Sequence, residues 1–256
     1  MENWKEKYDA LNGKFNLFKQ DYEEFIHFAA HDLDSPLRKL STFVDRINTK
    51  YKDVQDENTK VYFARINNCV EQMRSVVDSL YHLSIVNFEK NVIQSCDLKK
   101  LVEKVLNNLQ EEIIKKDAVV EIIDLPVISG NESQYMMLFK NIFENALRFS
   151  RKDTSLIVKA NAKMLNKEEK THFHLPGQKV YYKISVSDNG LGFKQEQAAD
   201  IFKPFVRLHG KSEMPGTGLG LSICKKIIEK HKGLMYAEGV ENSGACFVLI
   251  LPQNQE

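Results

Sequence analysis

Glycine and proline are scarce in these 256 residues, at 12 and 6, which argues against collagen-like, linker-like and disordered chains and favours a helix-rich protein. Four cysteines, at 69, 96, 224 and 246, have neither metal-knuckle nor redox-motif spacing, so free thiols in a reducing compartment are expected. Apolar runs are short. The strongest, such as Cys246–Leu251, fall far below the roughly 18 to 20 residues that span a bilayer. Met1–Lys7 is charged and lacks the apolar segment of a signal peptide. A cytoplasmic chain, or the cytoplasmic part of something longer, is the expectation. Excess charge of one sign is missing too, since 36 Lys plus Arg face 35 Asp plus Glu for a net +1. No global field draws the chain to nucleic acid or anionic lipid, and binding must come from local sites.

What is present begins with helical periodicity. Leu11, Phe15, Phe18, Tyr22, Phe25, Ala29, Leu33, Leu37, Leu40, Val44, Ile47 and Tyr51 recur in steps of three and four, as do Tyr62, Ile66, Cys69, Met73, Val76, Leu80 and Leu83. The polar stretch Lys52–Asn58 suits a turn, giving an antiparallel helical hairpin. One stripe per helix cannot make a dry core alone, so a second chain is expected to complete a four-helix bundle.

After Asn91 the pattern changes. Asp97 can cap a helix from Leu98 to about Lys116; Val119–Ile123 alternates as a strand, and Leu125-Pro126 begins a connection. Asn131 or Ser133 opens a helix to about Phe149. Ser155–Met164 and Val180–Val186 read as strands around a hairpin loop. Thr217–Lys232 reads as a helix, and strands Gly233–Glu238 and Ala245–Leu251 follow, joined by Gly239–Gly244. The fold class expected is α+β, with residues 1–92 a helical dimerisation domain and 93–256 an α/β sandwich.

Four segments could carry chemistry. His31 stands between the seam positions Ala29 and Leu33, so its imidazole faces solvent beside Asp32. That suits proton handling, and an idle surface histidine explains it equally well. His27 and His31 are an i,i+4 pair with no third ligand in view, so zinc is not expected. Pro36 lies inside the stripe and is expected to kink the helix. Asn141 and Asn145, one turn apart with Arg148 beyond, put amide oxygens and a cation on one face. The set suits a magnesium polyphosphate, although alone it reads as polar helix surface. Asp188-Asn189-Gly190 alone reads as a hairpin turn. Gly216-Thr217-Gly218-Leu219-Gly220 before a helix permits close backbone approach to phosphates, a weak signal in isolation.

Together these segments resemble the sensor histidine kinases, over nearly the whole chain. His31-Asp-Leu-Asp-Ser-Pro-Leu37 is similar to their phospho-acceptor H box, Asn141–Phe149 to the N box, Asp188–Phe193 to the G1 box, Ile201–Phe205 to the F box and Gly216–Leu221 to the G2 box. Val206–Ile227 looks like the lid and following helix of phytochrome-type and related bacterial kinases.

The resemblance implies a dimeric phosphotransfer bundle and an ATP-binding domain of the type shared with gyrase and chaperone ATPases. It implies that His31 attacks the γ-phosphate of ATP with Asp32 accepting or orienting the imidazole proton. Asn145, with Asn141, matches the magnesium-coordinating position, and Arg148 keeps the charge of a frequent Lys. Asp188 corresponds to the carboxylate that accepts from the adenine amino group, with Gly190 and Gly192 beneath the base and Phe149 lining it. Arg207, Lys211 and Ser212 are candidate phosphate contacts in the lid, and Gly216, Thr217, Gly218, Leu219 and Gly220 form the G2 turn. A homodimer and a response-regulator receiver domain are the implied partners.

Several positions depart from the family. Ser35 stands where Thr or Asn serves dephosphorylation, Asp34 where a basic residue is common, Asn131 for a frequent Asp and Lys232 for a usual Gly. Residues 166–178, with His172 and His174, are expected to form an inserted surface loop. With no sensory domain before Trp4 and no receiver after Gln253, the expectation is an excised kinase core, or a small kinase receiving input from another protein. The alternative is a scaffold of this fold that holds nucleotide, or a receiver domain, without turnover.

Overall fold

A computed structural model describes residues 7–8, 11–13, 15, 29, 32–33, 35–47, 49–50, 57–88, 92–208 and 216–255. Chain contacts divide the protein into two compact units, Met1–Glu89 and Lys90–Glu256.

In the first unit every described residue before position 51 is helical, Pro36 included, and a second helix, α1, spans Glu57–Phe88. The turn expected at 52–58 lies mostly outside the described residues, and Asn58 already belongs to α1. Val44, Val70, Val77 and Val86 are buried, while Leu11, Phe15, Leu33, Leu40, Phe43, Ile47, Tyr62, Ile66 and Met73 remain exposed. Within one chain the apolar stripes are thus only partly covered, as expected for helices that bury one face each. No helix among the described residues is long and apolar enough to cross a membrane.

The second unit is an α+β sandwich. Its elements are β1 (Gln94–Asp97), α2 (Leu98–Asn108), α3 (Gln110–Lys115), β2 (Val119–Ile123), β3 (Val127–Gly130) and α4 (Glu132–Arg148). There follow β4 (Ile157–Met164), α5 (Lys167–His172), β5 (Tyr181–Asp188), two single-turn 3₁₀ helices (Gln195–Gln197 and Asp200–Phe202), α6 (Gly220–Lys230), β6 (Leu234–Val240) and β7 (Gly244–Pro252). Five strands form one sheet in the order β2-β4-β5-β7-β6, parallel only between β2 and β4. Alternation puts Val158, Ala160, Ile184, Val186, Phe247, Leu249 and Leu251 on the face that meets the buried stripes of α4 (Leu138, Phe139, Ile142, Ala146) and α6 (Ile223, Ile227).

Several sequence expectations need correction. The helix from Leu98 is capped by Asp97, whose Oδ1 accepts from the Lys100 N–H at 3.2 Å, but it breaks at Leu109. That residue turns inward and is buried, leaving α3 with no buried side chain. The chain before α2 and the stretch after Pro126 form the antiparallel pair β1·β3, strands of four residues that are too short to display alternation. Asn131, rather than Ser133, caps α4 by accepting from the Gln134 N–H at 3.0 Å. The helix expected from Thr217 starts at Gly220, because Gly218 sits at φ +72°, outside helical space. It ends at Lys230, and Lys232 occupies the left-handed position (φ 56°) that suits a glycine.

The segment 166–178 is more than a surface loop. It holds α5 under a capping box made by Asn166 and Glu169. Leu165, Phe173 and Leu175 then cover Tyr181, Tyr236 and Ile250 on the sheet face opposite the main helices, a second small core.

Candidate functional site

Two helices of the sandwich, α4 and α6, place the site. Helix α6 runs antiparallel to α4: Gly220 meets Asn141, the Cys224 Sγ reaches the Leu138 carbonyl at 3.6 Å, and His231 meets Asn131. The start of α6 therefore opens beside the polar stripe of α4. A Cβ on Gly220 would lie 2.9 Å from Asn141 Oδ1, and one on Gly216 would lie 2.8 Å from Arg148 Nη1. Only glycine allows the backbone so near these side chains. Leu219 precedes α6 with no side-chain cap, so the first N–H groups of the helix keep their positive end for a ligand. Thr217 Oγ1 accepts from the Leu219 N–H at 3.2 Å and shapes the turn below them.

Asparagines 141 and 145 differ. Asn141 donates from Nδ2 to the Met137 carbonyl at 3.0 Å and backs the Gly220 turn. Asn145 is half-buried and makes no side-chain hydrogen bond among the described residues, which leaves its amide oxygen for a ligand.

Asp188 ends β5, and the turn after it is no hairpin, since β5 pairs with β4 and β7 while the chain proceeds to the 3₁₀ helices. Its Oδ1 accepts from the Gly190 N–H at 2.9 Å. Burial holds the carboxyl above the ordinary aspartate range, opposed by the N–H groups of Gly190 and Ala245. Asn189 pins the turn to the start of β4, accepting from the Ile157 N–H at 2.8 Å and donating to the Ser155 carbonyl at 3.0 Å. Gly190 presses on the end of α4, where a Cβ would lie 2.5 Å from the Phe149 carbonyl. That carbonyl also accepts from the Leu191 N–H at 2.9 Å. Gly192 is left-handed, φ +61°.

The structure thus gathers Asn141, Asn145, Arg148, Phe149, Asp188, Gly190, Gly192, Gly216, Thr217, Gly218, Leu219 and Gly220 around the α4–α6 opening and the adjoining turn. Arg207 lies at the last described positions before 209, whereas Lys211 and Ser212 lie outside the described residues. So does His31, while Asp32 and Ser35 are exposed helical positions of the first unit. Among the described residues no group of His, Cys, Asp and Glu is arranged to hold a metal ion.

Sequence reasoning missed three supporting groups: Asn189, Arg151 and His231. His231 is fully buried, its Nε2 accepting from the Asn131 N–H at 3.1 Å and its Nδ1 facing the Ile227 carbonyl at 2.8 Å. Only the Nδ1–H tautomer satisfies both partners. The Asp-Asn-Gly spelling could have flagged Asn189; nothing local marks the other two.

Residues 130–255 match the family model for the histidine kinase-, DNA gyrase B- and HSP90-like ATPases. Cyanobacterial phytochrome A of Nostoc sp. is 30% identical over 234 residues, covering 91% of this chain and 28% of that protein. Sensor protein kinase WalK of Staphylococcus aureus is 26% identical over 245 residues, covering 91% of this chain and 54% of that protein. The chain spans less than a third of the phytochromes it matches, 28% to 31% of their lengths. Among solved structures, full-length ShkA in complex with AMPPNP shares the fold with a TM-score of 0.66 at 19% identity, over 90% of this chain and 45% of that one. Histidine kinase ThkA in complex with response regulator protein TrrA has a TM-score of 0.59 at 19% identity, over 92% and 64%. The chain is homologous to phytochrome-type and other sensor histidine kinases, and its residues 130–255 form a domain of the histidine kinase-, DNA gyrase B- and HSP90-like ATPase family.

Proposed function

We propose that the chain is an ATP-dependent protein histidine kinase that autophosphorylates on His31 and passes the phosphoryl group to an aspartate of a response-regulator receiver domain. The observation that carries this reading is the glycine cradle at the start of α6. It meets Asn141 and the Arg148 guanidinium, one turn from Asn145, whose side chain makes no hydrogen bond among the described residues; the half-buried carboxylate of Asp188 precedes the turn that packs on the end of α4. Asp188 accepts from the adenine amino group, Phe149 lines the base, and the N–H groups of the G2 turn hold the phosphates with Arg148, Arg207, Lys211 and Ser212. Magnesium fits at Asn145, with Asn141 on the same face, and when bound it neutralises phosphate charge. A nitrogen of His31 attacks the γ-phosphorus, the bond to the ADP oxygen breaks, and Asp32 takes or orients the proton on the other nitrogen. Ser35 is the residue placed to assist dephosphorylation.

The first unit is the dimerisation and phosphotransfer domain under this reading, with the exposed stripes of its helices meeting those of a second copy. The receiver partner is supported by the complex of ThkA with TrrA, which shares this fold. The test separates binding from chemistry. His31→Ala is expected to bind ATP with wild-type affinity and take no label, whereas Asn145→Ala is expected to lose magnesium-dependent ATP binding. Labelled wild type mixed with receiver domains should pass its label to an aspartate of the cognate one. ATP binding without label in the wild type would contradict the kinase and favour a scaffold.

A further inference from the structure

The turn after Asp188 is held from behind by groups outside the nucleotide site. Leu191 has both backbone groups bonded: its N–H donates to the Phe149 carbonyl at 2.9 Å, and its carbonyl accepts from the Asn242 N–H at 2.6 Å. Asn242 lies at the tip of the β6–β7 hairpin in a left-handed conformation, φ 62°. Its carbonyl accepts from Arg151 Nη1 at 2.8 Å. Asp153 grips the same guanidinium on its other edge, accepting from Nε at 3.1 Å and from Nη2 at 2.8 Å. The hairpin tip and the turn are in close contact. A Cβ on Gly192 would lie 2.5 Å from the Gly244 carbonyl oxygen, and one on Gly244 would lie 2.8 Å from the carbonyl carbon of Asp188.

We propose that Arg151, oriented by Asp153, is a positioning residue for adenine recognition: it holds the 241–243 hairpin tip against the turn and so fixes the direction of the Asp188 carboxylate. The inference rests on the ATP-binding reading above. A hairpin tip tied only to its own strands moves independently of its surroundings. Here the segment that leaves α4 touches the turn twice, directly through Phe149 and through Arg151 by way of Asn242, which closes a ring of bonds around Leu191. The planar fork is what permits one side chain to serve a carboxylate and a carbonyl at once; a lysine ammonium offers no such geometry.

The test is calorimetric binding of ATP, GTP and tripolyphosphate, with magnesium, to the full chain as wild type, Arg151→Ala, Arg151→Lys and Asp153→Asn. Arg151→Ala is expected to lower the preference for ATP over GTP by about fivefold to tenfold, the scale of one charge-assisted hydrogen bond acting at second hand. Tripolyphosphate affinity should not change, lysine should not rescue, and Asp153→Asn should shift the ratio the same way by less. A purely structural role would lower the melting temperature and leave the ratio untouched. An unchanged ratio in Arg151→Ala, or in Asp153→Asn if the first variant does not fold, overturns the clamp and leaves ATP binding standing. A wild-type chain that binds no ATP overturns both.

Discussion

Phe205 donates its backbone N–H to the carbonyl of Gly218 across 3.0 Å, so the chain enters and leaves the segment 206–217 through one two-residue latch. Both residues are left-handed, with φ of 64° and 72°. For Phe205 that conformation costs on the order of 1–2 kcal/mol, and Gly218 meets it without strain.

Gly218→Ala should break this latch. The new Cβ would lie 2.9 Å from the Phe205 carbonyl carbon and the Val206 oxygen, and the backbone would carry strain of about 1–2 kcal/mol besides. ATP affinity is expected to fall by about tenfold or more, since 1.4 kcal/mol is tenfold. The melting temperature should fall by only a few degrees, about 2–4 °C per kcal/mol of strain at this size. Calorimetry and circular dichroism on the same sample check both halves.

Under the proposed function, Asp188 ties stability to recognition. Its raised pKa comes from burial first, so the fold disfavours the charged form. That cost is present above the folded-state pKa and absent below the ordinary value of 3.8. Asp188→Asn is therefore expected to raise the nucleotide-free melting temperature at neutral pH while weakening ATP binding by about a hundredfold, because the amide oxygen stays on the Gly190 N–H and the amide NH2 replaces a charged acceptor opposite the amino group. In the wild type, ATP affinity should decline on acidification at a pH above that of an ordinary aspartate. Titration calorimetry across pH 4 to 7 checks the profile, with Asp188→Asn as the control that keeps only the titration of the phosphates.

His231 sets a second pH dependence, of stability alone. Burial lowers its pKa from the ordinary 6.5, and protonation would turn Nε2 from an acceptor into a donor facing the Asn131 N–H. Below pH 6.5 the unfolded chain binds a proton that the folded chain refuses, so stability should fall as pH drops from 6.5 towards the lowered folded-state value. Thermal unfolding between pH 7 and 5 checks it. His231→Gln should flatten that slope while lowering stability at pH 7.

The proposed dimer would form on the exposed stripe of the first unit. Leu40 and Ile66 are 41% and 43% exposed in a single chain, and burying what remains of each against a second copy is worth about 0.6–1.2 kcal/mol. Leu40→Asp should convert the dimer to monomer at micromolar concentration while nucleotide affinity stays unchanged. Sedimentation equilibrium reads the first and calorimetry the second.

Much of this was legible in the sequence for physical reasons that can be named. The 3-4 spacing of apolar residues marks α1 because a helix with one buried face must repeat that way. Asp97 and Asn131 announce their helices because each side chain accepts a first-turn N–H. The glycines at 190, 192, 216, 218 and 220 stand out because side chains, carbonyls or a left-handed backbone leave no room for a Cβ. What stayed hidden depends on distant partners. Arg151 gains its place from Asn242, 91 residues away, and His231 from Asn131, 100 residues away. Leu109 breaks its helix because tertiary burial outweighs local propensity, and the second core under Phe173 forms only when β5, β6 and β7 are already side by side.

The most direct measurement is incubation of the purified chain with magnesium and γ-labelled ATP, comparing wild type with His31→Ala. An acid-labile, base-stable label on the wild type that is absent from His31→Ala is the expected result. A wild type that binds ATP and takes no label, or a label that persists in His31→Ala, would contradict phosphotransfer at His31.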